Sequence, residues 1–281
     1  MTHILACLDG VASQGAICDA SAWAATITGD AVTLLHVLER HQNVLPDLSG
    51  TIGLGSRETL QAELAELDQQ RSQLARQQGK LQLDAAVHQL AEHGIQANRL
   101  QRHGDLLETL SEFTEQTRLL VLGKCGARHE GEDAVVGSQL ESVLRTQRTP
   151  ALVVQRHFTA PTSLLFAFDG SETAQRALQQ LAANTLLKGL PCHLVMVADP
   201  SAEHSAQLED AAAMLRQGGW QVIPSLRQGE LIPTLTQYLA QQQIALLVMG
   251  AYGHSRMRQF VLGSHTSAML RALPCTLLLL R

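Results

Sequence analysis

His3-Ile-Leu-Ala-Cys-Leu-Asp-Gly10 and Ser163-Leu-Leu-Phe-Ala-Phe-Asp-Gly170 are one short segment occurring twice: an apolar run closed by Asp-Gly. Three further blocks repeat in the same order. Val32-Thr-Leu-Leu-His-Val37 matches Cys192-His-Leu-Val-Met-Val197, and Arg102-His-Gly-Asp-Leu-Leu-Glu-Thr-Leu110 matches Arg227-Gln-Gly-Glu-Leu-Ile-Pro-Thr-Leu235. Leu119-Leu-Val-Leu-Gly123 then matches Leu246-Leu-Val-Met-Gly250, and a Gly-Ser pair follows each. Repetition of whole blocks at a fixed order is the mark of tandem duplication. The chain therefore divides into residues 1–157 and 162–281, with His157–Thr162 as a short linker that holds Pro161.

Within each copy, apolar runs of strand length alternate with amphipathic stretches. The runs are apolar throughout rather than at every second residue, which means burial on both faces, as in a parallel sheet covered by helices. Helical patterns fill the gaps, among them Ser171–Leu187, with Ser171 as N-cap, and Leu231–Gln242. The order β-α-β-α-β-α-β-α-β predicts two tandem doubly wound α/β domains.

The copies differ after their second strand, where the first carries an extra segment, His41 to about Gly79. It opens as a Gly-rich loop, Leu48–Ser56, and continues with Leu60, Leu64, Leu67 and Leu74 at helical spacing. Two readings fit it: a helix covering the flank of its own domain, or a packing surface for a second protomer, which would give a homodimer.

Bulk composition narrows the functional classes. A hydrophobic fraction of 45% against 17% charged residues specifies well-buried cores rather than disorder. A formal net charge of −5 and only 3% aromatic residues argue against a nucleic-acid partner, which needs a basic surplus or stacking platforms. Cys7, Cys18, Cys125, Cys192 and Cys275 are scattered and never form C-x-x-C, a pattern of buried thiols in a reducing, cytoplasmic setting. Met1-Thr2-His3 runs directly into a strand without a basic leader, and no eighteen-residue apolar run suggests a membrane partner.

Ligands of open parallel sheets bind beyond the carboxyl ends of the strands, where strand order reverses. In the second copy this directs attention to Asp169, to Val197–Asp199, to Gly229 and to the residues after Met249. That last stretch reads Gly250-Ala-Tyr-Gly253-His-Ser-Arg-Met-Arg-Gln-Phe-Val-Leu-Gly263-Ser264-His265-Thr266. Glycines lacking Cβ let backbone N–H groups close on an anion. The helix expected over Ser264–Leu273 offers its unpaired N–H groups and positive dipole end to a phosphate. Arg256 and Arg258 lie between, where a guanidinium neutralises phosphate charge. The competing structural readings are that Asp169 only orients the helix after it and that the glycines form an empty turn. His254 and His265 fit surface or hydrogen-bonding roles, and no His/Cys/carboxylate grouping has metal-ligand spacing.

The G-x2-G-x9-G-[ST] spacing after a buried strand resembles the ATP-binding motif of the universal stress protein family. The likeness extends to an Asp closing the first strand and to the β-α order of both copies, essentially end to end. It implies Rossmann-like domains of the adenine nucleotide alpha hydrolase type, with ATP, ADP or AMP as the ligand. In that family the strand-one Asp lies near the adenosine and main chain after strand two contacts adenine. On this chain those positions are Asp169 and Val197. Met249, Gly250, Gly253, His254, Arg256, Gly263, Ser264, His265 and Thr266 make up the rest of the implied site.

The first copy departs from the motif: Gly123-Lys-Cys-Gly126 is followed by ten residues rather than nine before Gly137-Ser138. That loop adds Glu130, Glu132 and Asp133, whose charges oppose a phosphate, while Lys124 and Arg128 offset them in part. The corresponding site in outline is Asp9, Val37, Gly123, Gly126, Gly137 and Ser138.

Three functions compete on these grounds: an adenine-nucleotide-binding stress-response protein, a slow ATP-hydrolysing enzyme, and a ligand-independent interaction scaffold. No Walker loop, nucleophile elbow or paired carboxylates support catalysis, and Asp169-Gly-Ser-Glu-Thr lacks the Ser-Gly-Gly loop of adenylating enzymes. The apolar terminal run Thr276–Leu280 invites strand pairing. Pairing it with Ala151–Val154 inside one chain predicts a built-in pseudo-dimer of the two copies.

Overall fold

The computed structural model describes residues 2–8, 11–38, 54–124, 138–250 and 264–281. The first half runs β1 (His3–Cys7), α1 (Val11–Thr28), β2 (Ala31–Leu38), α2 (Leu54–Glu92), β3 (Ala97–His103), α3 (Leu106–Phe113), β4 (Thr117–Gly123), α4 (Ser138–Thr146) and β5 (Ala151–Val154). The second repeats the order as β6 (Leu164–Ala167), α5 (Glu172–Ala182), β7 (Cys192–Val197), α6 (Ala202–Gln217), β8 (Val222–Arg227), α7 (Leu231–Gln242), β9 (Leu246–Gly250), α8 (Ser264–Ala272) and β10 (Thr276–Leu280).

The strands form a single ten-stranded sheet in the order β3-β2-β1-β4-β5-β10-β9-β6-β7-β8. Each half is a parallel doubly wound unit, as the unbroken apolar strands require. The duplication is visible in the register: Val37 pairs with Arg102 and Val197 with Arg227. The one antiparallel contact is between β5 and β10, where Leu277, Leu278 and Leu279 lie opposite Val153, Leu152 and Ala151. β10 is therefore internal, with β9 on its other side, and its five residues are buried. An apolar run that would be an aggregation-prone edge is consumed by joining the halves.

Helices cover both faces of the sheet, giving one apolar layer around Ile4, Ala6, Val121, Phe166 and Val248 and another around Leu5, Leu122, Leu165, Leu247 and Leu279. The alternation of these neighbours between layers is the two-residue period of a strand. Cys18, Cys192 and Cys275 are free thiols, and all three are buried, as is Cys7. Burial pushes the Cys18 and Cys192 thiols up to about 12, with Asp19 adding to the effect at Cys18, and Cys275 to about 11. Such thiols are structural rather than reactive. Among the described residues no helix is long and apolar enough to cross a membrane.

Two helices differ from the sequence reading. α5 ends at Ala182 rather than near Leu187, because Asn184 diverts the chain by accepting the Leu187 N–H at 3.1 Å. Its start is as expected, with Ser171 Oγ accepting the Ala174 N–H at 3.2 Å. α2 is a continuous helix of 39 residues, about 58 Å long. Its carboxyl-terminal part packs on the domain through Leu83, Ala86 and Leu90, each no more than 3% exposed. Gln89 Nε2 ties it to α1 by donating to Gly15 O at 3.2 Å and to Asp19 Oδ1 at 3.0 Å. Between residues 63 and 78 the helix is mostly open to solvent, with Leu67 and Leu74 50% and 65% exposed.

Candidate functional site

Strand order reverses twice, at β1/β4 and at β6/β9. From β6 the chain crosses through α5 to β7 on one side; from β9 it crosses through α8 to β10 on the other. In open parallel sheets of this kind ligands bind past the carboxyl ends of such strand pairs, so those ends are the candidate sites. In the second half Ala167 lies level with Met249, so Asp169, two residues on, and Gly250, one residue on, leave adjacent strands at the same edge. Val197 closes β7 beside them and is half-buried.

Asp169 is exposed, and its Oδ1 accepts the Ser171 N–H at 3.0 Å. Gly170 completes the turn in the left-handed region at φ +73°. The carboxylate thus shapes the entry to α5, as the structural reading of that residue requires, and stands open to solvent at the switch point. Past β7, Asp199 accepts from Gln228 Nε2 at 3.2 Å, and its carbonyl lies 2.7 Å from His204 Nδ1. Asp199 and Gln228 thereby brace the loops on either side of Val197. Gln228 was not singled out from sequence, although its neighbour Arg227 opens a repeated block.

The first glycine of each motif has a packing role that spacing alone does not reveal. A Cβ at Gly250 would lie 2.8 Å from the carbonyl oxygen of Thr173 and 3.1 Å from Ala177 Cβ. The equivalent Gly123 has Ser13 against it, with Oγ 2.4 Å from a would-be Cβ. Absence of a side chain lets the first turns of α5 and α1 seat directly on β9 and β4.

Among the motif residues, Thr266 is buried at 5% exposure in the first turn of α8. Beside it, the Ser267 hydroxyl is buried without a hydrogen-bond partner among the described residues. Ser264, His265 and Ser138 occupy the first turns of α8 and α4. Asp9, Gly126, Gly137, Gly253, His254, Arg256 and Gly263 lie outside the described residues. Val37 is half-buried at the end of β2, in the position equivalent to Val197.

Lys124 reaches across to the second half. It is buried at 4% exposure, and its Nζ donates to the carbonyls of Arg271 at 3.2 Å and Leu273 at 3.4 Å. A first-half ammonium thus meets the carboxyl end of α8, where carbonyl oxygens favour a cation. Gln155 Nε2 adds bonds to Leu273 O and Cys275 O at 3.2 and 3.0 Å. Arg271 returns the contact by pairing with Glu141 at 3.0 Å.

The arrangement defines a class: a doubly wound α/β unit duplicated within one chain. The chain belongs to the universal stress protein family, which matches residues 1–155 and 162–281. It is 34% identical over 279 residues to the universal stress protein Slr1230 of Synechocystis sp., covering 96% of both chains. Among solved structures it is similar to a universal stress protein of Archaeoglobus fulgidus, at a TM-score of 0.71 and 16% identity over 99% of this chain and 98% of that one. A second, described as a putative universal stress protein of Pseudomonas aeruginosa, gives a TM-score of 0.61 and 16% identity over 100% and 93%.

Proposed function

We propose that this protein binds ATP, or the related ADP or AMP, chiefly in its second half, as a non-catalytic component of a stress response. The observation that carries the reading is the meeting of Asp169, Val197 and Gly250 at the β6/β9 switch point. The glycine motif and the head of α8 follow directly in sequence. An anion there would be held by backbone N–H groups and the positive end of the helix dipole. The buried Ser267 hydroxyl in the same turn supports the fit, since a polar atom out of water needs a partner. The first half fits less well. Its loop carries Glu130, Glu132 and Asp133, and Lys124, the cation nearest its first glycine in sequence, is turned to α8.

On this reading the β5–β10 pairing makes domains 1–157 and 162–281 an intrachain pseudo-dimer in which one copy braces the copy that binds ligand. It also removes the observation that favoured a scaffold, because the apolar terminal strand has its partner within the chain. Titration calorimetry with ATP, ADP and AMP tests the proposal. Binding near one equivalent per chain is expected, abolished by Gly263→Val and weakened by Asp169→Ala while helicity is unchanged. A folded protein that gives no heat and retains no nucleotide in equilibrium dialysis refutes it.

A further inference from the structure

The long helix α2 carries two faces with different destinations. Its domain-facing stripe is Gly79, Leu83, Ala86 and Leu90, all buried. Leu81 stands two residues from both Gly79 and Leu83, about 200° around the helix, and is 70% exposed. Leu74 and Leu67 precede it at seven-residue steps and are 65% and 50% exposed. Leu60 continues the interval in sequence. These three described leucines are half of the six large apolar side chains that the described surface exposes, so the surface apolarity is concentrated on one line.

The helix leaves its domain at a definite point. Gly79 is buried because a Cβ there would meet Gln101 Nε2 at 2.4 Å and His36 Nδ1 at 2.6 Å. Gln101 Nε2 donates to Arg76 O at 3.2 Å. From residue 63 to residue 78 every side chain is exposed except Leu64 and Asp68, which are half-buried. An isolated helix lacking tertiary packing is marginal in water, and leucines at every seventh residue are the seam of a helix pair.

Charge along the helix selects the occupant and its direction. Glu63, Glu66 and Asp68 precede the midpoint of the leucine run, and Arg71, Arg76 and Lys80 follow it. A second copy laid parallel would set acid beside acid and base beside base. Laid antiparallel, it sets each acidic segment along a basic one. Leucines 60, 67, 74 and 81 are symmetric about the point between residues 70 and 71, so reversal preserves the apolar seam. The same reversal brings Arg71 of one copy near the level of Asp68 of the other on both sides of a two-fold axis, the self-complementarity that an isologous interface needs.

We propose that two copies of this chain associate through antiparallel pairing of their α2 helices along the Leu60–Leu67–Leu74–Leu81 stripe. The inserted segment that distinguishes the first domain from the second is thereby the dimerisation element. It acts independently of whether nucleotide is bound.

Sedimentation velocity and light scattering of the purified full chain at micromolar concentration are expected to give twice the 30.4 kDa chain mass. Leu67→Glu combined with Leu74→Glu is expected to weaken association by on the order of 100-fold or more, with circular dichroism showing folded domains. Gln70→Cys, near the axis, is expected to give a disulfide-linked dimer on mild oxidation. Leu60→Cys, about three turns from the axis, is expected to give none. A monomeric wild-type chain overturns the proposal, as does a dimer that survives the double substitution. Efficient self-linking of Leu60→Cys overturns the antiparallel geometry whatever Gln70→Cys gives, since a parallel in-register pair links at both positions.

Discussion

Replacing Gly250 with Ala isolates the close approach of α5 to β9. Gly250 is not among the glycines with positive φ, so alanine is compatible with its backbone and the whole penalty is contact. The new Cβ would meet Thr173 O at 2.8 Å, the Thr173 carbonyl carbon at 3.1 Å and Ala177 Cβ at 3.1 Å. Comfortable carbon contacts begin at about 3.5 Å, so the helix must retreat by roughly half an ångström. Two of the three atoms are main chain in the first turn of α5 and cannot rotate away. Overfilling a packed interior costs about 1–3 kcal/mol, offset by the ~0.4–1 kcal/mol that alanine gains through a less flexible unfolded chain. A net loss of about 1–2 kcal/mol is expected, a substantial share of the 5–15 kcal/mol typical of a folded domain. Urea unfolding reads it as a lower midpoint at unchanged slope. Ala177→Gly in the same chain should restore little, because the Thr173 carbonyl remains. Gly29→Ala is the contrasting control: nothing lies within 4 Å, but φ is +73°, so its cost is backbone strain alone. Unchanged or raised stability of Gly250→Ala would refute the packing argument.

Two further outcomes follow from buried polar groups. His3, His36 and His193 are held below the ordinary imidazole range by burial, with Asp30 partly opposing this at His3. Each takes up its proton less readily in the fold than in the unfolded chain, whose imidazoles titrate near the ordinary 6.5, so the unfolded state binds more protons below that value. Stability is then fully present above about 6.5 and falls as pH drops through the lowered values. Urea unfolding at about pH 7.5 and about pH 5.5 measures the slope, and His36→Leu should flatten it, since His36 Nδ1 is buried without a partner among the described residues. Lys124→Met keeps the aliphatic stem but removes the donor to Arg271 O and Leu273 O. A loss of about 1–3 kcal/mol in thermal or urea unfolding is expected, and a change within error would show that water replaces the ammonium.

Much of the architecture was legible because it rests on patterns that repeat. Unbroken apolar runs such as Leu246–Val248 and Leu277–Leu280 specify strands buried on both faces, and their recurrence in two copies gave topology and order together. The β5–β10 joint followed from an apolar terminal strand that water would not tolerate as an edge. At the candidate site, Asp169 and Val197 were singled out by the rule that ligands sit past strand ends, and they share one edge of the sheet with Gly250. What sequence did not disclose are contacts whose partner is a backbone atom or a distant helix end. Nothing in Gly250-Ala-Tyr-Gly253 announces the carbonyl of Thr173, and nothing in Gly123-Lys-Cys-Gly126 announces the carboxyl end of α8.

The two readings of Gly250, cradle for an anion and seat for a helix, are not alternatives in physical terms. A glycine there lets α5 settle against β9, and settling α5 fixes the Asp169-Gly170-Ser171 turn that carries the exposed carboxylate. Lys124 makes the complementary case in the first half, where the residue after the equivalent glycine braces α8 from below its last turn. α8 is also the helix that follows the glycine motif of the second half in sequence. A cation from one copy at the carboxyl end of that helix and an anion at its amino end would load the same dipole at both poles. On the proposed function the two halves would divide their labour along α8. Loss of the Lys124 ammonium should accordingly weaken nucleotide binding in the second half more than loss of an equally buried apolar contact of the joint, such as Val153→Ala. Equal effects of the two substitutions in calorimetry would show that the joint matters only as packing.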